Sequence, residues 1–208
     1  MFRSTIVFCT VIFSACASLL ADPLPYNNVG HSANFVPLTA TSTGLVTGYF
    51  AGASSADTDT VALFDVTAGT TSPYLFSNQS TVVGRMANFG SVTAGDALVF
   101  LLFNQNTGTT LSSNRSNADG VAHAYVSPFS GGALGGTAVP RGTYLAFEDI
   151  LVSQGTDFDY NDSTFLFTNV SSTVTPEPGS LLLLGTGALG LVGTLRRRLI
   201  RSQGSGSA

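Results

Sequence analysis

Through the middle of the chain, apolar and β-branched residues come in short runs separated by Gly, Ser, Thr and Asn, and no long stretch repeats with a helical period. Seven runs read as strands: GLVTGYFA (44–51), TVALFDV (60–66), STVVGRM (80–86), DALVFLLFN (96–104), VAHAYV (121–126), TYLAFEDILV (143–152) and STFLFTNV (163–170). Short strands at regular spacing, with turn residues between them, predict an all-β fold: an antiparallel, jelly-roll-like β-sandwich. LVFLLF (98–103) is apolar at every position, which predicts a central strand covered on both faces, whereas TYLAFED alternates and is expected to expose one face. SPFSGGALGGTAVPRG (127–142) reads as a long Gly-rich loop. Residues 22–43, with Pro23, Pro25 and Pro37, read as a loosely held lead-in.

The two ends depart from this pattern. Residues 1–17 have Arg3, an apolar run from Ile6 to Phe13 and the small-residue site Ala15-Cys16-Ala17, which together predict a signal peptide with cleavage as late as residue 21. The run is too short to cross a bilayer. At the other end, a linker (171–178) carries Pro176-Glu177-Pro178. An apolar, Gly-rich segment (179–195) follows at the lower limit for a transmembrane helix, and a tail (196–208) opens with Arg196, Arg197 and Arg198. Taken alone this is a short tail anchor with the body outside. The three parts in this order closely resemble the PEP-CTERM sorting signal of Gram-negative bacteria. That resemblance implies an exosortase as processing partner, transient anchoring in the inner membrane, and delivery of the body to the outer surface or the extracellular matrix.

With both ends set aside, one domain remains at 44–170 behind its lead-in. Both cysteines of the chain, Cys9 and Cys16, fall in the export signal, which excludes disulfides, Cys-ligated zinc and a Cys nucleophile from the body. Between residues 22 and 175, eleven carboxylates face Arg85, Arg115 and Arg141, and there is no lysine. Nucleic acids and anionic lipids are bound through Lys and Arg, so this balance argues against both as partners of the body. Divalent cations and neutral glycans remain compatible with it.

The acidity concentrates in GTDFDYNDSTFLF (155–167). Between paired strands at 143–152 and 163–170, Asp157, Asp159 and Asn161 alternate along the loop, so an extended backbone would place three oxygen ligands on one side, with Asp162 adding a fourth. Calcium takes six to eight oxygens, and Glu148 or Asp149 from the preceding strand is positioned to complete the shell, although alternation sends those two to opposite faces. The loop is not an EF-hand, because Asp162 and Thr168 stand where Gly and a bidentate Glu are required. The competing reading is a solvated turn in which Asp and Asn cap their own backbone. For the weaker acidic stretch ADTDT (56–60), the solvated turn is the expected outcome.

YLAFEDILVSQGTDFDYNDSTFLF (144–167) resembles the signature of the domain of unknown function 4114 family, a Phe-Glu-Asp strand followed by Asp-x-Asp-aromatic-Asn-Asp and an apolar strand. A weaker match runs upstream through NADGVAHAYV (117–126), so residues 95–170 are covered. The resemblance implies an exported or surface protein with a calcium-binding acidic motif, and it implies no activity. Ser163-Thr164 stands where the family has an apolar pair, which predicts a less firmly buried start to that strand.

No Gly-x-Ser-x-Gly or His-Glu-x-x-His pattern occurs, and His123 stands alone on its predicted strand, where a structural role is expected. A glycosidase-like pair could be drawn only from Glu148 and Asp159, within one acidic hairpin. The expectation is therefore a non-catalytic protein. Two alternatives stay open: a calcium-dependent glycan-binding module using Tyr49, Tyr74, Tyr125, Tyr144 or Tyr160 as platforms against an extracellular polysaccharide, and a secreted hydrolase.

Overall fold

The computed structural model describes residues 26–113 and 117–172. The predicted signal peptide, the Pro-Glu-Pro linker, the apolar segment and the arginine cluster lie outside the described residues. Thirteen strands follow one another: β1 (Leu38–Ala40), β2 (Gly44–Gly52), β3 (Asp59–Asp65), β4 (Thr70–Thr71), β5 (Met86–Val92), β6 (Ala97–Asn104), β7 (Thr109–Ser112), β8 (Ala124–Phe129), β9 (Gly132–Leu134), β10 (Thr137–Val139), β11 (Gly142–Phe147), β12 (Ser163–Thr168) and β13 (Val170–Ser172). Among the described residues there is no α-helix, only a 3-10 turn at Val152–Gln154. All strand pairs are antiparallel. One sheet has the order β13-β1-β6-β3-β4, with β7 also on β6, and the other has the order β5-β2-β12-β11-β8. The all-β, antiparallel sandwich expected from the sequence is what forms.

Alternation explains the core. Val61 and Leu63 of β3, with Leu98, Phe100 and Leu102 of β6, point inward from one sheet, and Val46, Phe50, Leu145, Phe147, Phe165 and Phe167 point inward from the other. The two sheets meet where the Phe100 ring stacks on Phe167 at 3.9 Å between centroids, and Phe89 crosses Phe167 edge-on at 5.2 Å. Burying each such ring stabilises the fold by about 2 kcal/mol relative to leaving it in water. Gly48 makes this possible, because a Cβ there would lie 2.5 Å from Phe89 and 2.8 Å from Phe167.

Several boundaries differ from the sequence reading. Residues 80–85 form a turn, and the strand begins only at Met86. The strand expected at 121–126 runs from Ala124 to Phe129, and the expected loop at 127–142 holds the hairpin β9–β10. The lead-in supplies β1, paired to both β6 and β13. TYLAFED exposes neither face: Tyr144 and Ala146 turn outward but are covered by a second cluster that includes Tyr160, Phe129, Leu134 and Val139, with Tyr26 of the lead-in packed against it. The Tyr160 ring meets Tyr26 at 4.7 Å, and its hydroxyl donates to the Ala122 carbonyl (2.7 Å) while accepting from the Ala33 N–H (2.7 Å). Ser163 and Thr164 are buried despite their polarity, because Ser163 Oγ donates to Asp59 (3.0 Å) and Thr164 Oγ1 to the Gly52 carbonyl (2.8 Å).

Asn169 turns the chain from one sheet to the other. It takes the left-handed conformation (φ 62°), which Asn tolerates better than most residues, and its Oδ1 accepts from Thr41 Oγ1, Ser42 N and Ser42 Oγ, each at 2.8 Å. β13 therefore continues β12 but pairs in the opposite sheet.

Candidate functional site

The acidic end of the sandwich grows out of the core strands. On β3 the inward row Leu63, Val61 ends in Asp59, and on β6 the row Phe100, Leu102 ends in Asn104. Asp59 and Asn104 are directly paired. Facing them from the other sheet are Ser163, the first inward residue of β12, and Asp149, two residues beyond Phe147. Glu148, one position earlier, turns to the outer face, so the expected division of Glu148 and Asp149 between two faces holds. Both are nonetheless buried.

Glu148 organises the loop that follows. Its carboxylate accepts from Thr156 Oγ1, Phe158 N (3.1 Å) and Tyr160 N. To bring those amides inward, Phe158 and Tyr160 adopt left-handed φ values of 53° and 55°. Such values are uncommon for aromatic residues and cost on the order of 1 kcal/mol each. The loop is therefore curled, not extended, and the alternation of Asp157, Asp159 and Asn161 does not produce a straight row of ligands. What results is a tight group in which oxygens of Glu148, Asp157 and Asp159 lie within 4.8 Å of one another. Asn161 caps Asp159, with its N–H at 3.1 Å from Oδ1 and its side-chain amide on Oδ2, so it turns a donor toward that carboxylate.

Asp149 and Asp162 belong to a different group. Asp162 Oδ2 accepts from the Asp149 N–H at 3.0 Å, and the Asp149 side chain accepts from Ser55 Oγ. Asp57 joins them through Asn104, whose amide donates to Asp57 Oδ2 (2.8 Å) and to the Asp149 carbonyl (3.0 Å). Asp59 is fully buried beside Asp149. The two acidic groups share an open cleft of about 290 Å³, lined by Asp57, Glu148, Asp149, Asp157 and Asp162. The ADTDT stretch is thus part of the site rather than a separate solvated turn. The signal for it was the period-2 row that carries Asp59 onto the inward face of β3.

Charge in this cleft is poorly compensated. Among the described residues the only ion pair is that of His123 with Asp119, so none of the seven carboxylates Asp57, Asp59, Glu148, Asp149, Asp157, Asp159 and Asp162 has a basic partner. Burial, followed by the Asp149 charge, pushes the Asp59 carboxyl up to about 7 and that of Asp162 up to about 8. Burial also raises Glu148, against the pull of its three donors, and raises Asp159 together with the Asp157 charge. A donor set made only of hard oxygens and lacking a counter-charge suits a hard divalent cation.

The tyrosines expected as stacking platforms are mostly consumed by packing. Tyr49, Tyr144 and Tyr160 are buried in the outer cluster, Tyr125 is half-buried against it, and Tyr74 is exposed on the other sheet's edge. His123 is buried, with Nε2 2.9 Å from Asp119 Oδ2.

Fold and cleft define an antiparallel β-sandwich with an uncompensated acidic end. Residues 174–198 match the PEP-CTERM protein-sorting motif, the mark of an exported protein processed by an exosortase. No curated protein and no solved structure shows significant similarity to the chain.

Proposed function

We propose that this exosortase-processed protein is a non-catalytic component of the cell surface or extracellular matrix whose sandwich binds calcium at the β11–β12 loop. The observation that carries this reading is the convergence of Glu148, Asp157 and Asp159 within 4.8 Å with no basic side chain among the described residues paired to them. The likeness of 144–167 to the domain of unknown function 4114 signature supports it. Calcium would be held by these carboxylate oxygens, with Glu148 fixed in advance by its three donors. A hydrolase is less favoured because Glu148 and Asp159 come from a single hairpin, whereas a glycosidase pair flanks the sugar from two sides. The burial of Tyr49, Tyr144 and Tyr160 removes most of the surface that a glycan-binding module would use.

The test is thermal melting of the full chain in calcium and in EDTA. A ligand that binds only the folded state at a hundred times its Kd stabilises by about 2.7 kcal/mol. At this chain length that is a rise in Tm of roughly 5–10 °C. The Asp157→Asn/Asp159→Asn variant should lose a large part of the rise; an unchanged rise in the variant would refute this assignment of the site.

A further inference from the structure

Where the lead-in crosses β8 it leaves a groove of about 370 Å³, walled by Tyr26, Asn28, Ser32 and Asn34 on one side and by Tyr125 on the other. That volume lies within the range of about 300–1,000 Å³ found for small-molecule sites. The lead-in wall is held by the rest of the fold. Ala33 forms a β-bridge with Ala122 and donates its N–H to the Tyr160 hydroxyl (2.7 Å), Gly30 N–H donates to the Asp157 carbonyl (3.1 Å), and the Tyr26 hydroxyl donates to the His31 carbonyl (2.8 Å). Walls fixed in this way lower the ordering cost of binding. The two half-buried tyrosine rings stand 5.0 Å apart at 57°, a bent aromatic platform. Asn28, Ser32 and Asn34 are exposed, and their side chains make no hydrogen bond to another described residue.

We propose that this groove binds a neutral glycan, with a sugar ring seated against Tyr26 and Tyr125 and its hydroxyls bonded to Asn28, Ser32 and Asn34. No charged side chain lines the groove, although the domain is strongly acidic. An anion finds no base there, and a cation finds no counter-charge. A wholly apolar ligand would strip water from two amides and a hydroxyl without replacing their hydrogen bonds. A sugar meets both demands: its C–H face covers an aromatic ring, and its hydroxyls donate and accept as an Asn amide does. None of the residues walling the groove belongs to the acidic cleft, so the site is independent of calcium. It also uses Tyr26, from a segment whose prolines hid its contribution to the fold.

The test is an array of neutral oligosaccharides, anionic oligosaccharides and neutral peptides, probed with the full chain in EDTA, followed by calorimetric titration of the strongest binders. Binding confined to neutral oligosaccharides is expected. Asn28→Ala/Asn34→Ala should weaken it about tenfold, as the loss of two hydrogen bonds implies. Both side chains are exposed, so this variant keeps its fold where Tyr125→Ala, which also removes packing against Tyr160, risks losing it. Asp157→Asn/Asp159→Asn should bind the same oligosaccharides with unchanged affinity, whatever the outcome for calcium. The proposal is overturned if no neutral oligosaccharide binds, if anionic sugars or neutral peptides bind in their place, or if Asn28→Ala/Asn34→Ala leaves the affinity intact.

Discussion

Asp119 and Asp59 are the same side chain in opposite circumstances. Asp119 lies at the edge of the β7–β8 connection and collects three donors, His123 Nε2 (2.9 Å), Val152 N (3.0 Å) and Val121 N (3.3 Å). Burial pushes its carboxyl up, yet those donors outweigh burial and hold it below the ordinary aspartate value. Asp59 has two donors on one oxygen, none on the other and a second acid alongside, and it rises to about 7. What separates the two carboxylates is therefore their supply of protein donors. The local density of acids says less.

The comparison is most strongly challenged by pH. Asp59 and Asp162 bind protons more tightly in the folded state than in the unfolded chain, so in EDTA their contribution to stability is present below about pH 4 and lost as pH rises toward 8. Tm in EDTA should fall by roughly 5–10 °C across that window, and calcium should flatten the fall. Asp119 has the opposite sign: its contribution is present above the ordinary value of 3.8 and disappears as pH drops through its depressed folded value. A melting profile in EDTA that is flat from pH 4 to 8 would erase the contrast.

Substitution sharpens it further. Asp119→Ala strands His123 and two backbone amides, and should cost about 2 kcal/mol by denaturant unfolding, equally in calcium and in EDTA. Asp59→Asn, which removes one charge from a repelling set, should be neutral or stabilising by up to about 1 kcal/mol in EDTA. The smallest effect is expected for Thr156→Ala, which removes one of the three donors to Glu148 and should cost about 0.5–1 kcal/mol.

Much of this was legible in the chain. The apolar rows of β3, β6 and β12 announced a sandwich, because period-2 alternation at Val61–Leu63 and Phe165–Phe167 admits little else. The outer cover of β11 was not legible. Tyr26, Tyr160 and the β9–β10 hairpin come from segments rich in Gly and Pro, and what they cover is fixed by tertiary contact. Within the site, the cluster of Asp157 and Asp159 was plain from composition, but its curl depends on Phe158 and Tyr160 adopting left-handed φ, which no propensity favours. Asp59 was readable in principle: continuing the Leu63–Val61 row by two residues puts an acid at the mouth of the core.

The Asn169 corner has a mechanical consequence for export. β13 ends at Ser172, paired with Leu38, so only four peptide units separate the last hydrogen-bonded strand from Pro176. Even fully stretched, that tether reaches about 14 Å. The sorting motif therefore begins within that reach of a folded sheet edge, which leaves an exosortase little slack chain between the domain and the motif.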